Sequence, residues 1–172
     1  MKFTFHIKDA NEKIKDAALA LLVKENYKDI TMRKVAKEAD VALGQVTYYY
    51  RTKESLLFSV IKEVVDFAVE DFIKKINKSK KNKEEAIKEY LENNLMQDEE
   101  MSILILNIMN ESLFNDKLKT LSSQFFNRVY NYLCSVIKEE NSNISDVIVK
   151  ERATNLIDYA LLNIVKKAIN IY

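Results

Sequence analysis

Between Ala39 and Leu57 the chain gathers side chains that hydrogen-bond rather than react. The only glycine, Gly44, is followed by the amide Gln45, the hydroxyl Thr47, three consecutive phenols (Tyr48, Tyr49 and Tyr50) and the cations Arg51 and Lys53. Glycine costs roughly 1 kcal/mol against alanine inside a helix. A glycine tolerated at a helix start therefore marks a backbone that another surface must approach closely. That surface is protein or nucleic acid on this ground alone. The tyrosines and the two cations favour nucleic acid.

Reactive chemistry is hard to assemble from the rest. There is one histidine, His6, in an uncapped N-terminal segment where it reads as incidental, and one cysteine, Cys134. No glycine-rich phosphate loop and no Cys/His cluster able to close a metal site is present. The acidic pairs Glu99–Glu100 and Glu139–Glu140 are adjacent in sequence, so they diverge around a helix and read as solvated ends. The expectation is a chain that is not an enzyme and needs no metal or cofactor. A lone cysteine excludes an internal disulfide, and neither a secretory leader nor an apolar run of membrane-spanning length is visible. A cytoplasmic protein with no membrane partner is expected.

The elements that must position these groups are helices. With 172 residues, no proline, one glycine and abundant Lys, Glu, Leu, Ile and Asn, the chain lacks the turn chemistry of sheets, so the expected class is all-α. Ile14, Ala17, Ala18, Leu21 and Leu22 repeat at helical spacing over 9–25. Thr31 is an N-cap for a short helix over 32–39, Asp40-Val-Ala makes a turn, and a third helix follows over 43–49. Two short helices joined this way form a helix-turn-helix, with Val41 expected to plug the angle. Thr52 caps a long amphipathic helix reaching about residue 77, and the lysine-rich stretch 78–83 reads as a solvated loop. Further helices are expected near 84–96, 99–114, 116–140 and 145–171, without internal repeat. Net charge is only +1, yet residues 1–55 carry 11 Lys and Arg against 8 Asp and Glu, while the remainder carries 16 against 18. The slight basic excess sits on the glycine-bearing end.

Three stretches, Ile14-Lys-Asp-Ala-Ala, Tyr27-Lys-Asp-Ile-Thr-Met-Arg-Lys-Val-Ala-Lys-Glu-Ala and Val41-Ala-Leu-Gly-Gln-Val-Thr-Tyr-Tyr-Tyr-Arg-Thr-Lys-Glu-Ser-Leu-Leu, together resemble the DNA-binding domain of the TetR family of bacterial transcriptional regulators. The resemblance implies an N-terminal three-helix DNA-binding domain over 1–52 and a helical effector-binding and dimerisation domain over 53–172. It implies that the helix from Leu43 enters the major groove of double-stranded operator DNA. There Ala42, Leu43 and Gly44 make the close approach, Gln45 suits an adenine edge, and Thr47 suits a base or a thymine methyl. Tyr48 and Tyr49 reach for phosphates, Arg33 has the fork geometry for guanine, and Lys34, Lys53 and Thr31 suit the backbone. Tyr50 is expected in the core; packed roles for Tyr48 and Tyr49 and a merely solvated Lys34 are the alternatives. Asp40 replaces the usual turn glycine, Ala42 a usual capping serine, Met32 a frequent hydroxyl and Thr47 a frequent tyrosine.

The resemblance further implies a homodimer that responds to a small-molecule effector of unknown identity, more often a repressor than an activator. Asn107 and Asn110 interrupt an apolar helix, and with Tyr90, Asn94, Phe114, Phe125, Phe126 and Tyr130 they are the expected pocket. The alternative is that Asn107 caps a neighbouring helix end or faces solvent and the aromatics are ordinary core. Tyr132 and Val136, with Tyr159, Leu162 and Val165, are the expected dimer interface. The competing function is a helical adaptor on the same fold that does not read DNA sequence.

Overall fold

The computed structural model describes residues 9–95 and 99–169, excluding the side chains of Asn94 and Leu95; His6 lies outside the described residues. Their elements, in chain order, are α1 (Ala10–Lys24), a 3-10 turn (Tyr27–Asp29), α2 (Met32–Glu38), α3 (Leu43–Tyr49), α4 (Lys53–Lys78), α5 (Lys83–Tyr90), a π turn (Leu91–Leu95), α6 (Glu99–Ser112), α7 (Asp116–Glu140) and α8 (Asp146–Ala168). Among the described residues no helix is long and apolar enough to cross a membrane.

Short polar side chains start six of these helices by satisfying amides that lack an intrahelical partner. Asp9 accepts from the Asn11 and Glu12 amides at 2.6 and 3.1 Å, and Thr31 accepts from Lys34 at 3.2 Å. Thr52 accepts from the Ser55 amide at 3.1 Å while Ser55 Oγ accepts from the Thr52 amide at 3.3 Å, a reciprocal box at the head of α4. Asn82, Asn115 and Ser145 do the same for α5, α7 and α8.

The α2–α3 turn closes without glycine. Asp40 adopts φ 52°, the left-handed region, and is the one non-glycine residue with positive φ among those described. The Asp40 amide donates to Lys37 O at 3.3 Å and the Val41 amide to Ala36 O at 3.0 Å, the paired bonds of a Schellman motif. Val41, next in line, packs against the core as the turn requires.

Two cores lie along the molecule. One joins Ile14 and Leu22 of α1, Val35 of α2, Val46 of α3 and Leu57 and Ile61 of α4, and is completed by Leu104 of α6 and Leu118 of α7. The other joins Phe72 and Ile76 of α4, Ile87 of α5, Leu133 and Ile137 of α7 and Ala153 of α8. Only α4 and α7 serve both. The core built by α1 to α3 thus runs on past Thr52 into later helices. The helix expected over 99–114 ends at Ser112, so Leu113 and Phe114 fall in the turn and are 74% and 73% exposed.

Asp40→Gly should remove the left-handed penalty and stabilise the fold by about 0.5–1 kcal/mol, whereas Asp40→Val, β-branched at positive φ, should destabilise it. Urea unfolding midpoints measure both; equal midpoints for the two variants would contradict this reading of the turn.

Candidate functional site

Helix α3 buries one side chain, Val46. At about 100° per residue, Gly44 and Tyr48 project opposite Val46, Gln45 and Thr47 flank them, and Leu43 and Tyr49 lie nearer the protein. Exposure follows that order: Tyr48 is 82% exposed, Tyr49 42% and Leu43 37%. The chain's single glycine therefore occupies an outermost position. A Cβ placed on Gly44 would meet nothing within 4 Å, so nothing within the protein demands glycine there.

Around it the polar groups are already engaged. Ala42 has no side-chain acceptor to cap α3, but Gln45 Oε1 accepts from the Ala42 amide at 3.3 Å, which supplies the reciprocal half of a capping box. Gln45 must release this bond to present both ends of its amide elsewhere. Thr47 Oγ1 donates to Leu43 O and Gly44 O at 3.2 and 3.1 Å, and the residue stays exposed. The Tyr48 and Tyr49 rings meet edge to face at 5.3 Å, outside the core. Tyr50 is half-buried against the core, and burial raises its phenol pKa.

From α2, Thr31, Arg33 and Lys34 are exposed at the first turn, beside α3. Lys34 is not simply solvated, since its ammonium is 2.7 Å from Glu25 Oε2. Lys53 is engaged within the protein as well. Its ammonium donates to Tyr27 O and Lys28 O at 3.2 and 3.3 Å and lies 5.2 Å from the Tyr27 ring centroid, a ring whose phenol is pushed up to about 12, chiefly by burial. A cation at the first position of a helix opposes the helix dipole. The carbonyls of the 3-10 turn offset that conflict.

The expected pocket divides. Tyr90, Phe125 and Phe126 do line a common cavity of about 100 Å³ between α4, α5 and its π turn, α6, α7 and α8. Sequence reasoning missed its other walls, among them Phe72, Leu91, Val129, Ile157, Ala160 and Leu161, which have no polar mark to distinguish them from core. Asn107 is elsewhere: its Nδ2 donates to Leu22 O and Glu25 O at 3.1 and 3.4 Å, capping the C-terminal end of α1. Asn110 is exposed, Phe114 lies under the Lys28 ammonium at 5.1 Å, and Tyr130 packs in the second core without lining the cavity. The Asn94 side chain is outside the described residues.

The expected dimer face also separates into two sets. Val136 is 3% exposed in the second core, and Tyr132 donates to Asn77 Oδ1 at 2.9 Å while its ring meets Phe72 at 5.6 Å. Both residues are turned into their own chain, where this part of α7 packs in the second core. Tyr159, Leu162 and Val165 are 42%, 54% and 39% exposed on α8 and continue to Ile169 at 58%, a stripe at helical spacing.

Residues 14–60 match the family model for bacterial regulatory proteins of the tetR family. Over 54 residues the chain is 43% identical to the HTH-type transcriptional repressor KstR of Rhodococcus jostii, a match covering 31% of this chain and 26% of that protein. The chain thus aligns with about a quarter of the curated relative's length. The fold resembles a TetR transcriptional regulator from Legionella pneumophila (TM-score 0.75, 16% identity, 96% of this chain and 91% of that one). It also resembles a transcriptional regulator from Saccharomonospora viridis solved with choline (TM-score 0.79, 18% identity, 91% and 84%).

Lys53→Met keeps the alkyl stem but removes the donors to Tyr27 O and Lys28 O, so it should destabilise the fold by about 1 kcal/mol. Chemical denaturation checks this. An unchanged midpoint would show that Lys53 contributes nothing to holding the 3-10 turn.

Proposed function

We propose that this chain, a member of the TetR family of bacterial regulatory proteins, is a sequence-specific DNA-binding regulator, acting as a dimeric repressor that a small-molecule effector releases from a palindromic operator. The observation that carries this reading is the outer face of α3. Its most outward positions are a glycine with open space beside it and a tyrosine, flanked by an amide and a hydroxyl. A helix about 10–12 Å across fits a major groove about 12 Å wide, and glycine lets its backbone approach the bases or phosphates. Gln45 and Thr47 then face base edges, while Tyr48, Tyr49, Thr31, Arg33 and Lys34 reach toward the flanking backbone and bases. Lys34 does so by exchanging its Glu25 partner for phosphate, and the third proton of Lys53 is left for a phosphate.

In this reading residues 1–52 contact DNA, residues 53–172 carry effector binding and dimerisation, and α4 joins the two. The exposed stripe on α8 is the side that a second copy covers, and the cytoplasm is where the protein meets its operator. A two-fold dimer places its recognition helices about 34 Å apart, or a multiple of that, on successive turns of the duplex.

Selection of bound sites from a random duplex pool at near-physiological salt should enrich a two-fold symmetric motif. No enrichment would favour an adaptor on the same fold and overturn the regulator reading. On the selected site, Gly44→Ala should keep or raise stability, by up to about 1 kcal/mol from helix propensity, yet lower operator affinity at least about tenfold, because a methyl group fills the space left for DNA. Gln45→Ala should relax preference at one base pair, by about 1–3 kcal/mol of discrimination. Leu162→Glu should leave a folded monomer by light scattering; a dimer that survived it would place the interface elsewhere.

A further inference from the structure

We infer that the effector is an uncharged, essentially hydrocarbon molecule about the size of a single aromatic ring, held in the cavity between α4 and α8. This rests on reading the chain as a ligand-responsive regulator. Among the described residues lining the cavity, Tyr90 is the one polar side chain. Its hydroxyl is donated to Asp71 Oδ2 at 3.2 Å, and Asp71, which does not line the cavity, also holds the Lys75 ammonium at 2.9 Å. Burial and the Asp71 charge raise the Tyr90 pKa, so the wall stays neutral. Among the described residues no charged side chain lines the cavity, and the Lys75 ammonium, 5.3 Å from the Tyr90 ring centroid, is already paired with Asp71. A charged head group entering here would thus give up its hydration without a free counter-ion in the walls, which excludes salts, acids and amines in their ionised forms.

Size and shape narrow the class. The cavity is about 100 Å³. An apolar cavity of about 150 Å³ stays dry and admits benzene, and this one is smaller, so one ring or a chain of roughly six carbons is the upper bound on what it holds. The walls present aromatic edges and faces: Phe72 and Tyr90 meet edge to face at 5.0 Å, and Phe125 and Phe126 at 5.2 Å. A ring ligand continues that edge-to-face arrangement. Ala160, the small residue on the α8 side, leaves the room that a larger side chain would fill.

The test uses three probes sharing one ring: toluene, benzoate and phenyltrimethylammonium, each added to the full chain without DNA. Toluene at about tenfold over its Kd should raise the melting temperature by roughly 3–6 °C, and the two ions should not. Ala160→Leu should keep the fold and abolish the toluene shift. A methyl NMR spectrum of the unmodified chain provides a readout independent of that variant, with toluene moving resonances of Val129 and Ile157. No shift with toluene, or an equal shift with either ion, would overturn the inference; the cation result is pointed, because aromatic walls can also cage a quaternary ammonium. On the selected operator, toluene should lower affinity, and binding to the cavity with unchanged operator affinity would overturn the effector assignment. Failure of site selection alone would reject the regulator reading while leaving the cavity's binding of toluene intact, so the two failures are distinguishable.

Discussion

A seven-residue helix cannot hold itself together in water, because nucleation fixes several residues before any hydrogen bond is gained. Helix α3 is such a helix, and Val46 is its one buried side chain. Burying a valine contributes about 1.5–3 kcal/mol, too little to offset the ordering of seven residues, so the remaining hold comes from both ends. At the start, the Schellman turn through Asp40 fixes the direction in which the chain leaves α2, and Gln45 closes on the Ala42 amide. At the end, Tyr50 packs into the core and Thr52 starts α4. Clamping the ends leaves the outer face of α3 free of any packing duty. That freedom is what allows glycine, amide, hydroxyl and phenol to stand together on it.

The same economy makes α4 central. Its first turns complete the core under α3 and its last turns join a second core with α5, α7 and α8. Two polar ties lie near the first of these. Lys15 on α1 is 3.0 Å from Glu63 on α4, and Asn107 on α6 caps α1. A shift of α4 or α6 against the second core is therefore felt by α1, the helix against which α2 and α3 pack. Close-packed interiors transmit such shifts because they cannot absorb them.

What could be read from the chain was local. Thr31, Thr52 and Val41 act over three or four residues, and Asp40 needs only its own φ to be the turn residue. The exposure of Gly44 and its neighbours is equally local: the angle around a short helix with one buried residue accounts for it. Val136 and Phe114 lie apart from their expected sites, and Lys53 carries a tie beyond its expected phosphate contact, because the causes are distant. Val136 carries the same apolar signal whether it meets a partner chain or the second core of its own. Lys53 looks like any surface cation until the carbonyls of a turn 25 residues earlier come within reach. Phe114 was drawn into the pocket by a helix expected to run two residues too far.

Asn107 shows the physical reason most plainly. A half-buried amide on an apolar helix requires partners, which a ligand pocket or a neighbouring helix end can supply, and the sequence alone left both open. Helix ends make the same demand from the other side, since the last carbonyls of every helix lack intrahelical donors. In α1 the Leu22 and Glu25 carbonyls meet Asn107 across 85 and 82 residues of sequence, so donor and acceptors satisfy each other with no ligand involved. The cavity is formed by the opposite rule. It lies where no polar group needs a partner beyond Tyr90, and Tyr90 has Asp71. Polar residues in an apolar helix were thus a guide to how the helices are tied together, and the binding space opened where the sequence carried no polar signal.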